Sequence, residues 1–504
     1  MRMNILVKTM FAALGISMST ACETTTVNIS QNIDNDLIIQ TTQPSALPFA
    51  GIGAQWGGYD NLWQWIGTGT LSNQDWTKLF QRIDFMRPGL VRIITSQGWN
   101  YYDNGIYDPD KSAGTLFKML DYCQSHNVSV IFGEWGEEEL ANNQVDEAWL
   151  DRATNFLGYL INTKGYTCIK YYNMCNEPAG SWSTIGGDYD LWRRTFQKLI
   201  TLMDQKNLSS KVKLIGPDVA VWNNNDLLWW LTYAHNELGT GLKAFDIHTY
   251  PSQDHINGTS YLSTLQAYRA EVPQNVEMLM GELGSKYDYD ANHPLNVENK
   301  SRIASDPNTA DDSNMFVYDS FYGIDVANAL IQNLQAGYNG VVVWNMDDAM
   351  YDDGQGKLKR WGFWNILGAE KFNSPQDENI RPWFYPISLF SRYVPKGSLI
   401  FDMQIPDKKG LRAIATQANN KTTIVICNSN AVTYNLNLKS TTTMQLSNAK
   451  IYKYTALDGA NFTGTVDQNG FAQPQQTTTI NLTNGASYSL EIPGNTFVLI
   501  TTMD

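Results

Sequence analysis

A regular alternation of short apolar runs with longer amphipathic stretches, from about residue 48 to residue 394, constrains the fold more than any other feature. The runs have the length of strands and are rich in β-branched and aromatic residues. Such runs are typical of parallel strands that are buried on both faces of a sheet. The eight predicted strands are 49–56, 90–95, 128–132, 168–173, 212–215, 244–248, 276–280 and 340–344.

The stretches between these runs have helical periodicity. In the first of them, apolar residues recur every three or four positions, from Trp76 through Leu79 and Ile83 to Met86, and therefore share one helix face. The eight predicted helices are 75–86, 115–125, 147–162, 189–206, 226–235, 261–271, 325–335 and 383–392. Eight strands alternating with eight helices predict an α/β fold, a (β/α)8 TIM barrel. A doubly wound sheet would alternate similarly, but no glycine-rich phosphate-binding turn follows an early strand.

The pattern changes after about Pro395. Helical periodicity ends, and short alternating stretches follow, separated by clusters of Asn, Gly, Ser and Thr. This spacing predicts a C-terminal antiparallel β-sandwich over residues 395–504, after a barrel over residues 48–394. Residues 22–47 are also strand-like, and we predict that they pair into the sandwich. The predicted sandwich strands are 411–416, 422–427, 434–438, 451–454, 477–482, 488–492 and 497–502.

The first 21 residues have the pattern of a signal peptide. Arg2 and Lys8 precede a short apolar segment, residues 10–18, and small residues end at Ala21. Cys22 follows directly and resembles the acylated cysteine of a bacterial lipoprotein, although Ser19 stands where that pattern prefers Leu. The sequence therefore predicts a secreted protein or an outer-membrane or cell-surface lipoprotein of a Gram-negative bacterium, anchored in the membrane through lipidated Cys22.

Charge and cysteine spacing exclude several kinds of partner. The net charge is −14 and there is no run of Lys or Arg, which argues against binding to nucleic acid. Apart from Cys22, the cysteines are Cys123, Cys168, Cys175 and Cys427, with no CxxC pair and no His at ligand spacing. We expect buried free thiols, no metal and no cofactor, although one disulfide could form outside the cytoplasm. The oligomeric state is left open.

Two carboxylates directly follow predicted barrel strands. Glu177, in Asn176-Glu177-Pro178, follows the fourth strand, and Glu282 follows the seventh. Catalytic side chains of such barrels stand at the carboxyl ends of the strands, and strands four and seven lie on opposite sides of the ring. Paired carboxylates cleave glycosidic bonds by acid assistance plus nucleophilic attack or water activation. The residues alone leave retention and inversion open, because that choice depends on the distance between the carboxylates.

These residues resemble those of the clan A glycoside hydrolases, the retaining barrel enzymes, with families 39, 5 and 30 most similar. The resemblance covers the barrel and rests on Asn176-Glu177-Pro178, Gly281-Glu282, His248-Thr249-Tyr250, Trp344 and Arg92. It implies that Glu177 is the general acid/base and Glu282 the nucleophile, and that a β-linked polysaccharide or oligosaccharide is the substrate.

The resemblance also implies supporting roles. Asn176 would bind the sugar 2-hydroxyl, Arg92 and Tyr250 would contact Glu282, and Trp344 would lie under the sugar. His248, Arg92 and Trp344 each have a purely structural alternative, as core or strand-bridging residues.

Further candidates are aromatic and acidic residues at strand ends. Trp56 is a candidate platform for stacking on a sugar, and Glu134 and Trp135 end the third strand and are expected to line the pocket. Glu134 is also a rival catalytic acid, without the Asn-Glu-Pro context. The polar segment 284–315 is expected to shape one side of the cleft. The alternative function is a non-catalytic carbohydrate-binding surface lipoprotein on the same barrel.

Overall fold

Eight parallel strands form one sheet that closes into a barrel, as the sequence predicts. They are β2 (Gly51–Ala54), β3 (Leu90–Thr95), β4 (Ser129–Glu134), β5 (Ile169–Asn173), β6 (Lys213–Val221), β7 (Ala244–Thr249), β8 (Glu277–Leu283) and β9 (Gly340–Val343). From β3 to β9 each strand pairs with the next in sequence, and β9 pairs with β2. The ring closes between β2 and β3, where Gln55 bridges to Arg92 and the Trp56 amide donates to the Arg92 carbonyl at 2.8 Å.

The structure is a computed structural model that describes residues 34–44, 47–59, 71–111, 113–136, 144–183, 185–287, 290–482 and 486–504. The predicted signal peptide and Cys22 lie outside the described residues. No helix within the described ranges is long and apolar enough to cross a membrane. Cys123, Cys168, Cys175 and Cys427 are all buried and free, which confirms the expectation for these thiols.

Helices surround the barrel, and all eight predicted helices are present. The helices are α1 (Asn73–Met86), α2 (Gln97–Asn100), α3 (Leu116–Ser125), α4 (Glu147–Gly158), α5 (Tyr189–Gln205), α6 (Leu228–Leu238), α7 (Gln253–Asn257), α8 (Ser260–Ala270), α9 (Pro294–Ser305), α10 (Ser320–Gln335), α11 (Gly368–Phe372) and α12 (Phe384–Tyr393). Helix α1 begins earlier than predicted because Ser72 and Asp75 cap it reciprocally. Helix α9 lies inside segment 284–315, where periodicity predicted none.

The inside of the barrel is filled by side chains. One apolar cluster takes a single buried residue from each strand or its immediate start: Ala50, Leu90, Ile131, Tyr171, Ile215, Ala244, Leu279 and Val342. The barrel is therefore a packed core with separate openings at its two ends, as expected for this architecture.

A second, mostly antiparallel sheet forms the β-sandwich. Its strands are β1 (Asp36–Pro44), β10 (Leu399–Gln404), β11 (Leu411–Ala418), β12 (Lys421–Asn428), β13 (Tyr434–Ser440), β14 (Met444–Ala456), β15 (Gln476–Leu482), β16 (Tyr488–Ile492) and β17 (Thr496–Thr501), and the two-residue strand Phe462–Thr463 completes it. The strand order is Phe462–Thr463, β14, β17, β12, β11, β10, β1, β13, β16, and β15 pairs with β14. Strand β1 is antiparallel to β10 and parallel to β13. A separate apolar cluster fills the sandwich.

Helix α10 joins the two cores. Almost all of its side chains are buried. Asn328 donates to the Gly410 carbonyl at 2.9 Å, and the Cys427 thiol donates to the Ile324 carbonyl. The hydroxyl of Tyr454 on β14 donates to the Ser320 carbonyl at 3.0 Å. The sandwich therefore packs directly on the barrel through this helix.

Asp325 in this helix makes stability depend on pH. Burial raises its pKa to about 7 from 3.8, although Gln253 donates to Asp325 Oδ2 at 3.0 Å. The folded state holds this proton more tightly than the unfolded state, so stability falls as the pH rises from about 4 through about 7. At about pH 8 we expect Asp325→Asn to unfold at a higher temperature than wild type. Its free energy of unfolding should be larger by at most about 4 kcal/mol, since a pKa unit is about 1.4 kcal/mol.

The measurement is thermal unfolding of both proteins at about pH 4 and about pH 8. At the lower pH the neutral carboxyl group and the amide should give nearly equal stability. A difference between variant and wild type that does not change with pH would contradict the assignment.

Candidate active site

A cavity of about 460 Å³ opens at the carboxyl ends of the barrel strands. Glu177 and Glu282 both line it, together with Asn176, His248 and Tyr250. Trp135, Trp182, Trp222, Trp344 and Trp361 supply the aromatic part of its wall. The cavity combines a few convergent polar groups with apolar walls, as ligand-binding sites do.

Glu282 is held from three sides. Arg92 on β3 forms an ion pair with Glu282 Oε1, and the Tyr250 hydroxyl donates to Glu282 Oε2 at 2.6 Å. His248 Nδ1 lies 3.6 Å from Glu282 Oε2. Burial raises the pKa of Glu282, while the charges of His248 and Arg92 and the Tyr250 hydroxyl limit the rise. The carboxylate is therefore fixed in orientation, and its partners offset part of the effect by which burial opposes its ionisation.

Glu177 is the more accessible of the two carboxylates. Its Oε1 lies 2.8 Å from His248 Nδ1, and its Oε2 accepts a hydrogen bond from the Trp182 indole at 2.9 Å. Its backbone has a φ of 46°, in the left-handed region that side chains other than Gly seldom adopt. The Glu177 amide donates to Asp218 Oδ2 at 3.2 Å, which holds this conformation in place.

Asp218 lies beneath the cavity and contacts the residues that hold Glu177 and Glu282. It accepts hydrogen bonds from Arg92 Nη2 at 3.0 Å and from His248 Nε2 at 2.8 Å. Burial opposes its ionisation, but Arg92 and His248 hold the pKa of Asp218 well below its ordinary value. Burial and the charge of Asp218 raise the pKa of neighbouring Asp246 well above its ordinary value. Arg92 and Asp218 thus form a fully buried ion pair under the cavity.

The carboxylates around His248 favour its protonated form. Burial alone would lower its pKa, but the carboxylates of Asp218 and Glu282 raise it well above its ordinary value. In the protonated form both ring nitrogens donate, Nδ1 to Glu177 Oε1 and Nε2 to Asp218 Oδ1.

One ligand atom from each of Glu177, His248 and Glu282 lies within 4.8 Å of the other two, a spacing that could hold a metal ion. A doubly protonated imidazole has no lone pair for a metal. As a proton donor His248 can bridge the two carboxylates, and a metal ion at this position would have to displace the imidazole proton.

Irregular strand ends turn these side chains toward the cavity. The pairing of β8 with β7 shifts register between Met280 and Glu282, and that of β6 with β7 shifts between Pro217 and Val219. Each shift marks a local irregularity in the pairing, which, like a β-bulge, re-aims the following side chain. The shift between Met280 and Glu282 requires a glycine at position 281, because a Cβ there would lie 2.9 Å from His248 Nε2.

The aromatic walls are built on loops after the strands. Trp344 stacks on Tyr351 with ring centroids 5.1 Å apart, and Trp182 meets Trp222 edge to face at 6.1 Å. Segment 284–315 contributes Lys286 and Asp312, as predicted for one side of the cleft. Lys286 Nζ lies 3.2 Å from Asp312 Oδ1 and 5.1 Å from the Tyr250 ring centre.

Two sequence predictions of cavity residues are wrong. Trp56 is fully buried, with its ring against Phe80 and Tyr122 outside the barrel strands. It cannot stack on a ligand, because the residue that turns inward there is Gln55, which donates to the Tyr351 hydroxyl. Glu134 is also buried and does not line the cavity; it accepts a hydrogen bond from Thr95, while Trp135 beside it does line the cavity.

Arg92 lies under the cavity and does not line it, so the structure places it to position Glu282 and Asn176. Its Nη2 donates to Asn176 Oδ1 at 2.8 Å. The sequence reasoning missed Asp218, Asp246 and Tyr351. Asp218 and Asp246 had a readable signal, since each is a carboxylate within or just after an apolar run.

Comparisons with known proteins agree with this architecture. Neither a protein-family model nor a curated protein sequence matches the chain. Among solved structures, the glycoside hydrolase family 30 subfamily 8 xylanase Xyn30A from Clostridium acetobutylicum aligns with a TM-score of 0.58 and 14% identity, covering 93% of this chain and 99% of that chain. The GH39 enzyme from Xanthomonas axonopodis pv. citri aligns with a TM-score of 0.57 and 11% identity, over 92% and 96%.

The endo-beta1,6-glucanase BT3312 aligns with a TM-score of 0.58 and 14% identity, over 93% of each chain. The structural neighbours thus include family 30 and family 39 glycoside hydrolases, as the sequence resemblance predicts. At these identities the similarity establishes the shared fold, a barrel with an attached β-domain.

Proposed function

We propose that this protein is a retaining glycoside hydrolase that cleaves β-glycosidic bonds in polysaccharide or oligosaccharide, with Glu177 as general acid/base and Glu282 as nucleophile. One observation carries the proposal: oxygens of Glu177 and Glu282 approach within 4.8 Å at the floor of an aromatic-lined cavity. Carboxyl groups about 5–5.5 Å apart favour double displacement, whereas inversion needs roughly 6.5–9.5 Å to admit a water molecule.

In the first step, Glu177 donates a proton to the glycosidic oxygen while the Glu282 carboxylate attacks the anomeric carbon. The bond to the leaving group breaks and a glycosyl ester of Glu282 forms. In the second step, Glu177 removes a proton from water, which attacks the same carbon and releases Glu282. The proton taken from water restores Glu177 for the next cycle, and His248 Nδ1, 2.8 Å from Glu177 Oε1, is placed to hold the carboxyl group in position.

The neighbours of the two carboxylates suit these roles. Arg92 and Tyr250 hold Glu282 as a charged nucleophile, and both contacts weaken as its charge is lost on ester formation. Because Asn176 Oδ1 accepts from Arg92, the Asn176 amide nitrogen is left to donate to the sugar 2-hydroxyl. Trp344, kept in place by Tyr351, offers an apolar face to the sugar ring.

We propose further that the protein acts outside the cytoplasm, released or anchored through Cys22. The support is the signal-peptide pattern of residues 1–21. Mass measurement of the mature N-terminus tests this: acylated Cys22 indicates an anchored protein, and an intact Met1 in the bacterial host would contradict export.

The function is tested by incubating wild type with a panel of β-linked polysaccharides and aryl glycosides, beside Glu177→Gln and Glu282→Gln. Cleavage by wild type that both folded variants lack supports the proposal and identifies the sugar. If wild type binds glycans and cleaves none, the protein is a carbohydrate-binding protein. Full activity in either variant would overturn the assigned pair.

Gly281→Ala should lower kcat/KM by roughly 10²-fold, since displacing catalytic groups by about 1 Å can have this effect. The added Cβ would push the His248 ring away from Glu177 and Asp218. Gly114→Ala is the matched control, because a Cβ there meets nothing within 4 Å. Equal activity of both variants, with folding checked by circular dichroism, would show that His248 need not hold its position.

A further inference from the structure

A second cavity, of about 510 Å³, opens at the opposite end of the barrel. Its walls come from the starts of the strands: Ser129 begins β4, Lys213 begins β6 and Glu277 begins β8. Residues 48–50, just before β2, also line it. The packed ring of apolar side chains inside the barrel separates this cavity from the site of Glu177 and Glu282.

The cavity is strongly basic. Five lysines line it, Lys170, Lys211, Lys213, Lys243 and Lys396, beside one carboxylate, Glu277. This leaves an excess of four positive charges in a chain whose net charge is −14. Lysines distributed only for solubility would be interspersed with carboxylates in so acidic a protein.

Among the described residues, one of these five cations has a charged partner. Lys213 Nζ lies 2.6 Å from Glu277 Oε2, and the Tyr171 hydroxyl donates to the same oxygen at 3.2 Å. The ammonium groups of Lys211, Lys243 and Lys396 donate to neutral acceptors, such as Ser129 Oγ, 2.9 Å from Lys396 Nζ. Within the part of the chain that the structure describes, no ion pair joins Lys170, Lys211, Lys243 or Lys396 to a carboxylate.

The inner wall of the cavity is part of the barrel floor. Ser129, Lys213 and Glu277 each precede by two positions a residue of the apolar ring, and residues two apart in a strand share a face. These polar side chains therefore point toward the barrel axis. Lys396 is partly buried against them, and both this burial and the charge of Lys170 lower its pKa. The positive charges thus face a shared, partly enclosed space.

We propose that this cavity binds a multivalent oxyanion, a phosphate or sulfate group, either free or as an ester. Each lysine ammonium group offers three donors. A phosphate or sulfate group offers three or four acceptor oxygens and, depending on its form, one or two negative charges. The excess positive charge matches a doubly charged group better than a carboxylate. The volume also admits the organic part of a phosphate or sulfate ester.

The experiment measures binding of inorganic phosphate and sulfate by calorimetry and thermal unfolding, with chloride at equal ionic strength as reference. Lys170→Gln/Lys396→Gln is the test variant. The control is Lys300→Gln/Lys421→Gln, which removes two exposed lysines that do not line the cavity. We expect phosphate to raise the unfolding temperature of wild type and control. Affinity should be weaker in the test variant by at least about tenfold, because two charged hydrogen-bond donors are lost from the cavity.

Without phosphate, the test variant should be at least as stable as wild type, because a repulsion between like charges is removed. A second arm uses glucose 6-phosphate: binding at least as tight as inorganic phosphate points to an ester ligand, and weaker binding to the free ion. The proposal is overturned if phosphate and chloride act alike on wild type, or if the test variant responds to phosphate as wild type does.

Discussion

Glu282→Gln is expected to lower kcat/KM on the best panel substrate by on the order of 10⁴–10⁶-fold. This is the range seen when one member is removed from a set of catalytic residues that act together. A neutral amide cannot form the glycosyl ester. Arg92 and Tyr250 still hold the side chain in place, because the amide offers one acceptor to Arg92 and one donor toward Tyr250. The variant should therefore bind substrate with little change while failing in the first chemical step.

The matched control is Glu134→Gln. Glu134 is also a buried carboxylate at the end of a barrel strand, but it does not line the cavity. A folded Glu134→Gln enzyme should keep most of its activity.

In Glu282→Gly, azide should enter the space left by the side chain and yield a glycosyl azide of inverted configuration. Loss of activity in Glu134→Gln with full activity in Glu282→Gln would show that Glu134, and not Glu282, is the nucleophile.

Glu177→Gln is expected to show a loss that depends on the leaving group. On polysaccharide, removal of general acid/base assistance should lower kcat by roughly 10²–10⁴-fold. On a dinitrophenyl glycoside the first step needs no proton, so a rapid burst of dinitrophenolate should precede slow release of the sugar. Stopped-flow absorbance measures the burst.

A different product distinguishes Glu177 from Glu282. In Glu177→Ala, azide should attack the glycosyl ester and give a glycosyl azide of retained configuration, opposite to the azide product of Glu282→Gly. An equal loss on polysaccharide and on the dinitrophenyl glycoside, without a burst, would show that Glu177 is not the acid/base.

The barrel could be predicted because its signal is repeated eight times. Each strand is an apolar run and each helix an amphipathic one, so errors at single boundaries leave the topology unchanged. The fifth barrel strand, β6, is longer than the local sequence pattern predicts. The predicted strand ends at Ile215, just before Gly216-Pro217, yet β6 continues to Val221 with a register shift after Pro217. The site residue Asp218 lies in that continuation and was therefore missed.

Side-chain direction at irregular strand ends was the other limit. Trp56 and Glu134 both stand at strand ends, as Glu177 and Glu282 do, and sequence position alone does not separate them. Which side chain faces the cavity is decided by closure of the barrel between β2 and β3 and by bulges near Gly281 and Asp218. These depend on contacts between residues far apart in sequence, such as Gln55 with Tyr351.

The central claim is that Glu177 and Glu282 act by double displacement, and the configuration of the first-formed product tests it most directly. Wild type is mixed with the best β-linked substrate of the panel, and proton NMR spectra are recorded before the released sugar mutarotates. We predict that the β-anomer appears first and the α-anomer later, at the rate of mutarotation. Initial release of the α-anomer would show inversion and would contradict the proposed nucleophilic role of Glu282.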